Sequence, residues 1–238
     1  MTRLIVCDAV CAAFPHLRID ATVAEGFSGH QPWPEVAEGL SRLEADAAAG
    51  RSAPVDDDPH IVSWRAAYRA FGTNPKRERP SVDALRRRLA RSARLPRINP
   101  AVDCYNLVSA TFGVPAGAFD LWQAKGDITV GLAVGTEEFT PLGEPGTTEH
   151  PRPGEVIYAD AEGVLTRHWN HRDAERTKVT ADSEDIVFLL ETVDAPAFGA
   201  LLDAATDSLT ALLRSRARSV NTRTLTAGLS SGPSAVLR

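Results

Sequence analysis

A chain of 238 residues, 43% hydrophobic and 24% charged, holds enough apolar material for one substantial core and has the composition of a globular protein. A net charge of −5 excludes a general nucleic-acid coat, and no apolar run approaches the roughly 20 residues that a membrane span requires. Cys7, Cys11 and Cys104 cannot all pair and lack metal-ligand spacing, the cysteine usage of a reducing compartment. The opening MTRLIVCDAVCAAF carries Asp8 inside its short apolar stretch, so it reads as a first strand rather than a secretory leader, and the expected compartment is the cytoplasm.

LIVCDAV (4–10) is β-branched and predicts a strand. Pro34 followed by EVAEGLSRLEADAAAG predicts a helix with proline in its first turn and Gly50 at its end. Asp56-Asp57-Asp58-Pro59 caps a second helix, with Ile61, Trp64, Ala67, Tyr68 and Phe71 on one face, that ends at Gly72-Thr73-Asn74-Pro75. Ser81 opens a third, SVDALRRRLARSA, in which Val82, Leu85 and Leu89 form a narrow apolar stripe among arginines. Asn99-Pro100 starts a fourth, which runs to Gly113.

After Gly113 the period changes. Strands are predicted at 128–134, 155–160, 164–169 and 186–193, separated by turns rich in Gly, Pro and Asp. Leu201, Leu202, Ala205, Leu209, Leu212 and Leu213 then recur at helical spacing, giving a C-terminal helix over about residues 197–214. From Ser219 the aperiodic Ser, Thr, Gly and Leu predict a disordered tail over 219–238. Helices dominate the first half and strands the second, which predicts one α+β domain over residues 1–218 and no parallel βαβ sheet.

The charge is unevenly spread. Residues 1–60 hold four arginines against ten Asp and Glu, whereas residues 76–97 hold Lys76 and eight arginines against Glu78 and Asp83. So many like charges on one helix need a partner. The acidic N-terminal region is one candidate. A phosphate backbone is the other, and it makes Arg86, Arg87, Arg88 and Arg91 candidate RNA contacts.

Several segments in order resemble the B3/B4 editing domain, which occurs in the β subunit of bacterial phenylalanyl-tRNA synthetase and as free-standing proteins. They are WRAAYRAFG (64–72), RPSVDALRRR (79–88), INPAVDCYN (98–106), Pro115-Ala116-Gly117 with Asp120, Gly126-Asp127-Ile128, PLG (141–143), PGEVIYAD (153–160) and RHWNHRDAERTKVT (167–180). The match covers about residues 60 to 193. It implies mixed β-sheets in a sandwich-like core flanked by helices. It also implies hydrolysis of the ester of a mischarged tRNA by a stand-alone protein without ligase activity. One departure stands out: where the synthetase domain is Gly-rich after its paired strands, this chain has Trp169-Asn170-His171-Arg172. The bulk would narrow or reshape the pocket, so the synthetase's own substrate does not carry over.

The resemblance places candidate site residues in two stretches, 99–106 and 167–177. Asn106 would line the pocket near the aminoacyl ester, although its place on an inward helical face equally suits a structural tie to backbone. Glu175 aligns with an acidic pocket residue and would take the substrate ammonium or hold the water. His171 would accept a proton near neutral pH. Tyr105, Asn170, Arg172 and Thr177 are the expected substrate contacts, with Arg172 facing a phosphate. Asn99 is explained as a helix cap. His168 and His171 lack a third ligand, so no metal and no cofactor is expected. The expected partner is tRNA, with neither membrane nor DNA. A binding module of the same fold, holding RNA or an amino-acid-like ligand without turnover, is the alternative. No P-loop, nucleophile elbow or dinucleotide fingerprint is present.

Overall fold

The computed structural model describes residues 1–52, 54–227 and 232–238. Its first half runs β1 (Arg3–Val6), α1 (Asp8–Ala13), β2 (Arg18–Glu25), α2 (Pro34–Ala48), α3 (Pro59–Ala70), α4 (Ser81–Ser92) and α5 (Pro100–Phe112). Its second half runs β3 (Ala116–Asp120), β4 (Ile128–Leu132), β5 (Val156–Ala159), β6 (Val164–Arg167), β7 (Arg172–Asp173), β8 (Ile186–Thr192), α6 (Ala195–Leu213), β9 (Ser219–Thr226) and β10 (Ser234–Val236). The caps explain the helix starts. Asp58 accepts from the His60 and Ile61 N–H groups, and Asn99 from that of Val102, so each satisfies amides that a first turn leaves open.

The strands form two sheets, one in the order β10-β1-β4-β5-β6-β7 and one in the order β3-β8-β2-β9. The second is antiparallel throughout, while the first contains one parallel pair, β1 with β4. The sheets face one another. Leu4, Val6, Ile128, Val130, Val156 and Leu165 of the first meet Ile19, Ala21, Val23, Phe119, Val187, Leu189 and Leu225 of the second in one buried cluster, joined by Trp64 and Tyr68 of α3. The second sheet's other face, with Phe188 and Leu190, packs on α2, α5 and α6 through Val36, Leu40, Cys104, Val108, Leu202, Ala205 and Leu209. The chain therefore has the expected α+β architecture, a sandwich with helices against one side.

Three expectations change. The first strand stops at Val6, because Asp8 begins α1. The strand expected over 164–169 ends at Arg167, because His168 and Trp169 have φ of +46° and +65° and turn the chain. The tail expected to be disordered is paired: β9 runs antiparallel to β2 from Ser219↔Glu25 to Thr226↔Arg18, and β10 pairs with β1. Its polar residues have partners, Thr222 on Thr22 at 2.9 Å and Thr224 on Asp20 at 2.8 Å, and Leu225 and Leu237 are buried. Residues 228–231 of that tail lie outside the described residues. Among the described residues no helix is long and apolar enough to cross a membrane.

Candidate functional site

Alternation along β8 places Leu189 and Glu191 on the face turned toward the other sheet. A glutamate there is out of water, and Glu191 is 3% exposed. Three donors meet its carboxylate. Tyr158 of β5 donates its hydroxyl, the Trp169 indole N–H donates at 2.9 Å and the Asn170 amide at 3.0 Å. Burial pushes the Glu191 pKa above the ordinary carboxylate value, against the pull of these hydrogen bonds. The Asn170 carbonyl is occupied in turn, accepting from the Tyr68 hydroxyl at 2.8 Å and the Ser81 N–H at 3.2 Å. The network ties both sheets to α3 and to the start of α4.

Above this floor lies a pocket of about 130 Å³. Its walls come from Tyr105 and Asn106 of α5, Gly117 and Phe119 of β3, Thr166 of β6, Asp173 of β7, the turn at Trp169–His171 and Ser81. In the turn, His168 and Trp169 take the left-handed backbone that glycine adopts without cost. A fully buried Trp169 fills this part of the wall, packed edge-on against Phe14 at 4.9 Å and Trp64 at 5.2 Å between centroids.

Three polar groups lining the pocket have capacity to spare. The Asn106 side chain makes no hydrogen bond among the described residues, so the structural tie open to it from the sequence is not made. His171 donates Nδ1–H to the Arg79 carbonyl at 2.8 Å. A carbonyl only accepts, so the tautomer is fixed and Nε2 is left as an acceptor. Asp173 accepts from the Thr166 hydroxyl at 3.2 Å and has no cationic partner among the described residues. Burial raises its pKa to about 6. The Ser81 hydroxyl, also buried at the wall, has no partner among the described residues, and burial raises the Tyr105 pKa.

Tyr105, Asn106, Asn170 and His171 are thus brought together, although Asn170 is spent on the floor network. Arg172, Glu175 and Thr177 do not line the pocket. Arg172 bonds Glu149 at 3.0 Å and Glu144 at 2.6 Å, whereas Glu175 accepts from the Gly143 N–H at 2.8 Å and pairs with Lys178. Thr177 is buried, with its hydroxyl unpartnered elsewhere. The single cleft expected to join Asn106 with Glu175 is therefore not formed. β7 turns Asp173, two residues earlier, into the wall instead.

The candidate RNA contacts divide as well. Arg86 donates to Asp58 at 2.6 Å and to the Ala110 carbonyl at 3.0 Å, and Arg87 pairs with Asp83 at 2.7 Å and with Asp56. Arg88 and Arg91 are exposed without a protein partner among the described residues. The acidic N-terminal region thus takes half of the set.

The model of the B3/4 domain family matches residues 63–215, about two thirds of the chain. The chain belongs to the B3/4 domain family. Every residue lining the pocket falls inside that match. The chain is also similar to the crystal structure of an N-terminal fragment of the phenylalanyl-tRNA synthetase β-subunit from Pyrococcus horikoshii. Identity is 15% and the TM-score 0.47, covering 93% of this chain and 49% of that one, so the chain spans about half the length of the fragment. A search of curated proteins gives no match. The family membership sets a context for the pocket, and Glu191 and Asp173 are the B3/4 residues that the sequence did not single out. The run IVFLLET held the signal for Glu191: a strand apolar on both faces leaves its glutamate no route to water.

Proposed function

We propose that this B3/4 protein hydrolyses the ester of an aminoacylated tRNA. The observation that carries the reading is the convergence of an unpaired amide, an imidazole whose Nε2 has no protein partner among the described residues, and a carboxylate without a counter-ion on one small pocket. An aminoacyl ester needs those three groups. Its ammonium would sit on Asp173, and its carbonyl oxygen would accept from the Asn106 Nδ2–H. Water held by His171 Nε2 would add to the carbonyl carbon. The water's proton would pass to Nε2, the bond from the carbonyl carbon to the ribose oxygen would then break, and Nε2–H would return that proton to the leaving ribose oxygen. Orientation and oxyanion stabilisation supply the acceleration.

Size supports one amino acid as occupant. A cavity of about 150 Å³ takes a benzene-sized molecule, so about 130 Å³ suits a small side chain with its α-carbon and leaves no room for the terminal adenosine. The fully buried Trp169 in the wall helps to set that limit. The substrate class is therefore a small aminoacyl group, with the nucleotide outside.

The experiment is time-dependent loss of labelled amino acid from a panel of charged tRNAs, beside Asn106→Ala and His171→Ala. Turnover of at least one charged tRNA, slowed in both variants, is expected. If the wild type binds charged tRNA and releases no amino acid, the binding-module reading replaces this one.

A further inference from the structure

A second opening, of about 620 Å³, runs along α4 and is lined by Val55, Asp56, Arg79, Arg87, Arg88 and Arg91, with Ala84 and Ala90 between them. Its charge does not balance. Asp83, buried at its base, pairs with Arg65 at 2.8 Å and Arg87 at 2.7 Å, and Asp56 meets the same two arginines. Arg79 lies 3.9 Å from Asp83, at the limit of an ion pair. Five guanidiniums thus face two carboxylates, and three positive charges are left over. Arg88 and Arg91 sit three apart on the exposed face, where like charges repel unless an anion joins them.

Arg79 belongs to both openings. Its side chain lines the groove, while its carbonyl holds His171 Nδ1–H in the pocket. Ser81, two residues on, lines the pocket and begins the helix that carries Arg88 and Arg91. Ten residues of helix put Arg91 roughly 15 Å from Ser81. The groove therefore approaches the pocket from a distance that a few nucleotides span.

From this geometry we infer that the groove over α4 binds the phosphodiester backbone of RNA through Arg79, Arg88 and Arg91, a nucleotide or more away from the ester held in the pocket. Guanidinium pairs match phosphate oxygens, and the apolar floor at Val55, Ala84 and Ala90 accepts the flat faces of the chain. Arg86 and Arg87 are not assigned to it, since the charge of each is already met by a carboxylate within the protein. This inference rests on the proposed reading only for the choice of RNA, and its test uses uncharged RNA.

The probe is a fluorescently labelled, uncharged tRNA transcript, titrated with the full chain between 50 and 250 mM salt. The variant is Arg88→Glu/Arg91→Glu, and the control with equal charge change is Arg42→Glu/Arg214→Glu, two exposed arginines, one on α2 and one at the C-terminal end of α6. We expect the groove variant to bind at least about tenfold more weakly. Two lost contacts should make the slope of log K against log salt shallower by about 1.4 to 1.8. The control should shift far less. Unchanged affinity and slope in the groove variant would overturn the inference. So would an equal fall in the control, which would leave only net charge, or displacement of the tRNA by polyglutamate at matched charge, which would assign the groove to an acidic protein. Loss of tRNA binding beside normal hydrolysis of an aminoacyl-adenosine ester would separate the groove from the pocket. If nothing is hydrolysed, the binding result stands by itself.

Discussion

The Trp169 indole N–H donates to Glu191 at 2.9 Å from a residue whose backbone is left-handed, at φ +65°. Such a conformation costs a bulky residue about 1–3 kcal/mol. It is held by burial among Phe14, Trp64 and Phe71, by this hydrogen bond and by the one that its backbone N–H gives the Val156 carbonyl at 2.6 Å. Glu191→Gln keeps the shape and breaks the pattern. Its new NH₂ must face either the Trp169 N–H or the Asn170 amide, and Asn170 cannot turn because its carbonyl already serves Tyr68 and Ser81. The expected loss is about 2 kcal/mol, read by urea denaturation at pH 7.5. A loss below about 0.5 kcal/mol would mean that the network carries no stability.

Asn106→Ala should slow deacylation at least about tenfold, equal to about 1.4 kcal/mol of transition-state stabilisation, with stability almost unchanged because no protein partner is lost. Glu175→Ala should stay within twofold, since Glu175 serves the Gly143 turn and Lys178. Single-turnover rates on a charged tRNA compare the two. The reverse ranking would place the reaction centre at Glu175.

Arg86 and Arg88 differ by two positions and should differ in kind. Arg86→Ala leaves Asp58, the cap of α3, without its 2.6 Å partner and leaves the Ala110 carbonyl open, which costs about 2 kcal/mol. Arg88→Ala removes nothing paired and should lie within about 0.5 kcal/mol of wild type. Denaturation midpoints at equal slope make the comparison.

Much of this fold was legible because its signals are local. Asp58-Pro59 and Asn99-Pro100 fix two helix starts within the sequence itself. β2 escaped the reading although Ile19, Ala21 and Val23 alternate with Asp20 and Thr22, because the partners that let Asp20 and Thr22 be buried, Thr206, Thr222 and Thr224, lie 186 to 204 positions away in the chain. β9 reads as a disordered tail because an edge strand with one wet face needs few apolar residues, although Val220, Thr222, Thr224 and Thr226 carry a β-branched alternation. Asn106 and His171, both named from the sequence, line one pocket although they come from distant segments. The choice between Asp173 and Glu175 depends on how β7 pairs with β6, a relation between strands that no single segment records.

β9 also gives a test of the tail. Ending the chain after Arg218 removes every partner of β2 along that edge and the buried side chains of Leu225 and Leu237. Burying one such leucine is worth about 1.5–3 kcal/mol, so two leucines and a ladder approach the whole stability of a domain. The truncated chain should aggregate or show no cooperative thermal transition by circular dichroism. A soluble, cooperative 218-residue product would show that β9 and β10 are dispensable.

Asp173 should make the protein less stable as it makes the site. Its folded pKa of about 6 lies above the ordinary aspartate value of 3.8, so the folded chain binds more protons than the unfolded chain between those values. Stability is then lost as pH rises through that window, and the cost is full above about pH 6. Below the unfolded value both states are protonated and the cost vanishes. Asp173→Asn removes the charge and keeps an acceptor for Thr166, so it should stabilise the protein by about 1–3 kcal/mol at pH 7.5. By pH 4 most of that gain should be gone. Glu191 and His168 titrate in both proteins and cancel in the difference. The same variant should lose most of its affinity for an aminoacyl ester, because the ammonium has no other anion in the pocket wall held free of the floor network. Urea titrations of both proteins at pH 4 and 7.5, beside ester binding at pH 7.5, measure the exchange. A variant equally stable at both pH values relative to wild type, with binding intact, would remove Asp173 from the site.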